Sequence, residues 1–191
     1  MIKIGILGDI GSGKTFVANQ FGYPVFNADI EVSKIYKNNK SCFKILKKNF
    51  PNHIFSFPIN KKEISKLILS NKKNLKKINK IVHPIVRVEM NKFINKNKKK
   101  KMVILDIPLL LENKIKKKDL ILVFVEAKKK QILKNLKKRK NYNLKIINIL
   151  KKFQLPLNYK MKKSDFIIKN NFKMYPVKKS VNLIKIKILN K

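Results

Sequence analysis

A glycine-rich octapeptide constrains this chain more than any other feature in it. Gly8-Asp9-Ile10-Gly11-Ser12-Gly13-Lys14-Thr15 lies between an apolar run, Ile2 to Leu7, and a helix-compatible stretch, Thr15 to Phe21. That strand-loop-helix setting is the one in which the pattern builds a phosphate cradle. A triphosphate needs many donors converging at short range. Gly11 and Gly13 let the backbone bend until successive N–H groups point into one hollow, with no Cβ in the way. The following helix adds the positive end of its dipole. Lys14 is placed to bridge the β- and γ-phosphates and the Thr15 hydroxyl to hold Mg²⁺, so the expected ligand is ATP or GTP. All five glycines (Gly5, Gly8, Gly11, Gly13, Gly22) fall in this first unit. A Gly-rich turn with a coincidental Lys-Thr would leave the flanks unexplained.

At 191 residues the chain suits one domain with inserted subdomains. The single cysteine, Cys42, forbids an intrachain disulfide and reads as a small apolar residue. With no apolar run of ~18 residues, a reducing cytoplasm is the expected setting and no membrane partner is expected.

The formal net charge of +38 would ordinarily point to nucleic acid. The lysines, however, are spread through every segment with abundant Asn, Ile and Phe, the residues an AT-rich genome encodes most readily. The runs Asn95 to Lys101 and Lys114 to Lys118 have no interleaved aromatics on which bases could stack, and read as solvated loops. No specific nucleic-acid partner is expected. The same bias makes arginine informative. It occurs only at Arg87 and Arg139, and its planar fork cannot be imitated by lysine.

Strand-like runs occur at Ile2 to Leu7, Val25 to Ala28, Met102 to Ile107, Leu120 to Val125 and Phe166 to Ile168, separated by segments of helical spacing. That alternation predicts an α/β fold with a parallel sheet. Apolar periodicity at Ile64, Leu67, Ile68 and at Leu75, Ile78, Ile81, Val82 predicts amphipathic helices. The resulting division is a core (about 1–35, 99–130 and 160–191), a helical insertion (about 36–98) and a basic helical lid (about 131–159). A final helix is expected from Val177 to about Leu189.

Three constellations carry chemistry. Asp29, just past the second strand in Asn27-Ala28-Asp29, is placed to take a proton from a substrate hydroxyl or to support Mg²⁺, or else to cap the next helix. Asp106 ends the third strand, where a carboxylate holds metal or caps a turn. His83-Pro84 is expected to end one helix and start another, with the imidazole binding substrate phosphate or satisfying a helix end.

Together these pieces resemble the dephospho-CoA kinase family, in order and over nearly the whole chain. The loop resembles Gly-Gly-Ile-Gly-Ser-Gly-Lys-Ser/Thr, Asn27-Ala28-Asp29 resembles Asp-Ala-Asp, and Val82-His83-Pro84 resembles Leu-His-Pro. Pro108-Leu109-Leu110-Leu111-Glu112 resembles Pro-Leu-Leu-Phe-Glu, and Ser164 to Asn170 resembles Ala-Asp-x-Val-Ile-x-Asn. Gln131, Arg139 and Gln154 fall where the family places a helix Gln, a lid Arg and a second Gln. The resemblance implies a P-loop nucleoside-triphosphate-hydrolase-like core that uses ATP and Mg²⁺ to phosphorylate the ribose 3′-hydroxyl of dephospho-CoA; a monomer or weak homo-oligomer is expected. Asp29, Lys14 and Arg139 would be catalytic. Gly8, Ile10, Ser12 and Phe16, with Gly11, Gly13, Lys14, Thr15 and Asn170, would hold the nucleotide. His83, Arg87, Pro108 and Glu112 would hold the substrate, and Thr15 and Asp106 the metal.

The chain also departs from the family. Asp9 replaces the loop's second glycine, where a carboxylate must point away from the phosphates or weaken binding. Asn27 replaces the first Asp of its pair, and the segment from Lys134 to Arg139 carries one extra residue. Two other functions fit parts of the pattern: another P-loop small-molecule kinase, acting on a nucleoside monophosphate or shikimate, and a nucleotide-gated nucleic-acid-binding protein.

Overall fold

A strand covered on both faces must be apolar on both, and β1 (Ile2–Gly8) and β3 (Met102–Asp106) meet that demand, with every residue of β3 and the last five of β1 buried. In the computed structural model, which describes residues 1–112, 120–139 and 142–190, they lie at the centre of a five-stranded parallel sheet. Its order is β2-β3-β1-β4-β5, with β2 at Val25–Asn27, β4 at Leu120–Glu126 and β5 at Phe166–Lys169. Ile4 pairs with Ile104 on one side and Ile121 on the other.

Alternate side chains take opposite faces. Ile4, Ile6, Met102, Ile104, Val123, Val125 and Ile168 pack with Val17, Ala18 and Phe21 of α1 (Lys14–Gln20) and with Val177, Val181, Ile184 and Ile188 of α9 (Met174–Leu189). Asp165 fixes the edge: its amide donates to Leu122 O at 2.8 Å and its carboxylate accepts from Leu122 N at 2.7 Å. The Ser164-Asp165 pair thereby sets β5 against β4. The last helix starts at Met174, three residues before the expected Val177, because Pro176 falls in its first turn, where a missing N–H costs nothing.

The chain separates into two compact units. One comprises 1–27, 96–142 and 151–191, and the other 28–95 and 143–150. The second carries α2 (Ala28–Asn38), α3 (Lys40–Asn49), α4 (Lys61–Ser70) and most of α5 (Lys73–Lys96). Cys42 is fully buried there, and burial pushes its thiol up to about 11, so it is protonated at neutral pH. The expected break at His83-Pro84 is not found. Pro84 lies inside one continuous α5, with Leu75, Ile78, Val82 and Val86 buried in phase along its length. Proline inside a helix costs roughly 3 kcal/mol. Burying four aliphatic side chains at about 1.5–3 kcal/mol each outweighs that.

The basic stretch after the expected insertion ends α5 and forms an exposed turn, while Lys114 to Lys118 lies outside the described residues. Between β4 and β5 stand α6 (Lys129–Lys137), α7 (Leu144–Lys152) and α8 (Leu157–Lys162). No helix among the described residues is long and apolar enough to cross a membrane.

Candidate active site

The loop between β1 and α1 turns on Gly11 and Gly13, each at φ 84°. A side chain at Gly13 would be strained by that angle. Its Cβ would also stand 2.3 Å from Asn170 Nδ2 and 2.8 Å from the Phe172 ring. Gly13 is the N-cap of α1 and no side chain caps the helix, so its first amides are left for a ligand. Ser12 is fully buried and its Oγ has no partner among the described residues. A buried orphan hydroxyl in a glycine-rich loop that leads into an uncapped helix start fits a polyphosphate.

Asn170, only 3% exposed, holds this loop from behind. Its amide nitrogen Nδ2 donates to Ser12 O at 2.8 Å, and its Oδ1 accepts from Phe172 N at 2.8 Å. Because a peptide unit is planar and trans, fixing the Ser12 carbonyl toward Asn170 turns the Gly13 N–H away from it. Phe172 closes the turn at φ 61°, which costs an L-residue roughly 1–2 kcal/mol.

Lys14 curls across the loop, its ammonium donating to Asp9 O at 2.8 Å and Gly8 O at 3.4 Å. Asp9, the departure from the family loop, is engaged on both oxygens. Oδ1 accepts from Ile10 N at 2.6 Å, and Oδ2 lies 3.7 Å from Lys151 Nζ. The carboxylate therefore occupies a loop amide. We expect Asp9→Gly to lower the KM for ATP several-fold, read by steady-state kinetics, with kcat little changed. An unchanged or higher KM would show that the Asp9 contact assists the loop.

At the carboxyl ends of β2 and β3, Thr15 Oγ1 donates to Asp106 Oδ2, and Asn27 Nδ2 donates to the same oxygen at 2.7 Å and to Thr15 Oγ1 at 3.3 Å. The structure thus brings together Thr15 from α1, Asn27 from β2 and the 3%-exposed Asp106 from β3. A hydroxyl and a carboxylate are hard oxygen donors. They suit Mg²⁺, which takes one or two protein oxygens and completes its shell with water and phosphate. Asn27 contributes a donor where the family's carboxylate would be an acceptor, and so orients Asp106.

The other expected residues are placed as follows. Ile10 and Phe16 stand at the loop and in the first turn of α1, with Phe16 leaning on the sheet core. Asp29 is exposed in the first turn of α2, inside the helix and beyond the N-cap position. His83, half-buried, and Arg87, exposed, are one turn apart on α5 and share a face. Arg139 is exposed just beyond α6. Pro108 leads into Leu109 at φ 62°, and Glu112 closes the segment in an ion pair with Lys160 at 2.6 Å. Nothing local in the sequence distinguishes Lys160 from the other lysines, and only its burial does.

The family model for dephospho-CoA kinase matches residues 2–175. This chain belongs to the dephospho-CoA kinase family. A dephospho-CoA kinase of Wolbachia pipientis is 39% identical over 170 residues, 86% of this chain and 87% of the relative. A Thermus thermophilus crystal structure superposes with a TM-score of 0.80 at 25% identity, covering 98% of this chain and 97% of its own. The dephospho-CoA kinase of Campylobacter jejuni, at 22% identity and TM-score 0.67 over 97% and 96% of the two chains, shares the fold. The chain is a kinase that uses ATP as co-substrate and acts on a small molecule.

Proposed function

We propose that in the phosphorylation of dephospho-CoA by ATP, the final step of coenzyme A synthesis, Asp29 accepts the proton of the ribose 3′-hydroxyl and Lys14 with the loop amides neutralises the phosphates. Arg139 adds charge to the transferring phosphoryl group as the lid about 131–159 closes and excludes water. The single observation that carries this reading is the Thr15–Asp106–Asn27 cluster beside an uncapped loop, because it combines a phosphate cradle with oxygen donors for a metal. Thr15 and Asp106 would hold Mg²⁺, which would supply charge neutralisation for the phosphates. The chain's own residues orient. Asn27 holds the Asp106 carboxylate, Asn170 holds the Ser12 peptide, and Asp29 follows Asn27 by two residues in the chain.

A cavity of about 620 Å³, lined by Glu126, Lys128, Gln131, Asn170, Asn171 and Pro176, shares Asn170 with the back of the loop. Its position supports it as the seat of the nucleotide base. His83 and Arg87, on one face of α5, are assigned to the anionic groups of dephospho-CoA, with Pro108 and Glu112 contributing from the segment after β3. The enzyme works in the cytoplasm as a monomer or weak homo-oligomer.

Two arginine substitutions test these roles. Arg139→Lys is expected to lower kcat, because a point charge replaces a planar fork at the transition state. Arg87→Lys is expected to raise the KM for dephospho-CoA and leave that for ATP unchanged. An ATP-coupled assay run with dephospho-CoA, AMP, GMP and shikimate reads both constants and the substrate choice. If Lys137→Ala impairs the enzyme as much as either arginine change, charge alone is at work and the arginine roles fail.

A further inference from the structure

In a chain that exposes its lysines throughout, Lys160 is the one basic side chain buried among the described residues, at 2% exposure. Drift of a tolerant surface does not put a lysine there. Its Nζ lies 2.6 Å from Glu112 Oε1, and the same oxygen accepts from Leu155 N at 2.8 Å. Glu112 Oε2 is also buried, and it has no partner among the described residues.

A buried ion pair adds little net stability, since desolvation offsets the attraction, so its value lies in geometry. The geometry here is a tether. The segment after β3 leaves Asp106, turns at Leu109 with φ 62°, seats Leu110 in the core against Gly5, and is then fixed at Glu112 to the α7–α8 connection and to α8. That connection starts near the phosphate loop, because Lys151 reaches Asp9 at 3.7 Å and Leu155 follows four residues later. Leu157 and Met161 of α8 line a cavity together with Asp9. Glu112 is therefore tied to the helix beside the phosphate loop, with one oxygen consumed by two donors and the other without a partner among the described residues.

We propose that Lys160 is a positioning residue for the acceptor substrate: it draws Glu112 Oε1 into the protein so that Oε2 accepts a hydrogen bond from an uncharged N–H or O–H group of that substrate. The inference rests on the assignment of Glu112 to the acceptor side of the site. An unpaired buried carboxylate oxygen is costly until a donor reaches it, and that cost is relieved on binding. The pair thus makes affinity for the acceptor depend on a group that carries the right donor.

The test uses Lys160→Met, Lys160→Arg and the double variant Lys160→Met/Glu112→Gln, each assayed for both KM values, kcat and melting temperature. Lys160→Met should raise the KM for dephospho-CoA about tenfold or more, with that for ATP within about twofold, and Lys160→Arg should recover much of the loss. Removing one charge leaves the other buried and lowers stability, so the double variant is decisive. It removes both charges and regains most of the melting temperature. The amide that replaces the Glu112 carboxylate must still accept from Leu155 N, which turns its NH₂ group toward the substrate and leaves the KM high. A stable double variant with native KM would overturn the proposal and reduce the pair to packing. Equal rises in both KM values would do the same. Arg87→Lys, assayed alongside, separates the two levels: a shift there without one in the double variant sinks only the Lys160 role, and no shift in either sinks the acceptor assignment itself.

Discussion

Lys14→Ala is expected to abolish turnover, with kcat falling by about three orders of magnitude or more, while the protein remains folded. The ammonium bonds two loop carbonyls, Asp9 O and Gly8 O, at 2.8 and 3.4 Å and adds nothing to the sheet core. Removing it therefore costs little on folding. The loss appears when three phosphates crowd the loop, because the loop must then balance their charge without its own cation. A coupled assay together with circular dichroism and thermal melting separates the two effects. Near-native turnover would end the assignment of the loop as the phosphate site, and a collapsed melting temperature would mean that Lys14 holds the loop together.

The parts of the fold legible in the sequence were those governed by local pattern. A parallel strand covered on both faces has to be a short continuous apolar run, so Ile2 to Leu7 and Met102 to Ile107 could be read directly, to within a residue or two of the observed ends. Pro84 misled because propensity reads proline as a boundary, whereas the buried stripe of α5 runs through it in phase. Pro176 is the opposite case. It lies inside its helix, yet in the first turn, where proline is tolerated.

Within the site, the loop was legible because its glycines, lysine and threonine are adjacent. The cluster of Thr15, Asn27 and Asp106 was legible only in part. Thr15 and Asp106 each suggested metal chemistry, but their hydrogen bond spans 91 residues of chain, and no spacing rule announces it. Asn170 reaches the loop across 158 residues. Lys160 could not be found at all, since one lysine among so many has no signature until the fold buries it against Glu112. The signal available was indirect: with only ten acidic residues in the chain, a Glu held just after a buried strand invites a search for its cation.

Asp29→Asn is expected to lower kcat by about 10²–10⁴-fold with the KM for ATP nearly unchanged, because the amide keeps the shape of the side chain and cannot take a proton. The structure supplies the competing explanation. Asp29 sits in the first turn of α2 together with Glu31, where a negative charge favours the helix dipole. That contribution is small for an exposed side chain, and Glu31 remains when Asp29 is neutralised. The melting temperature should therefore fall by no more than about 4 °C. A catalytic base and a helix-start charge thus make opposite demands on one variant. The base requires a collapse of kcat at nearly constant stability. The helix charge requires a stability loss at nearly constant kcat, and that second pattern would remove Asp29 from the reaction and leave Asp106, bonded to Thr15, as the carboxylate to test next.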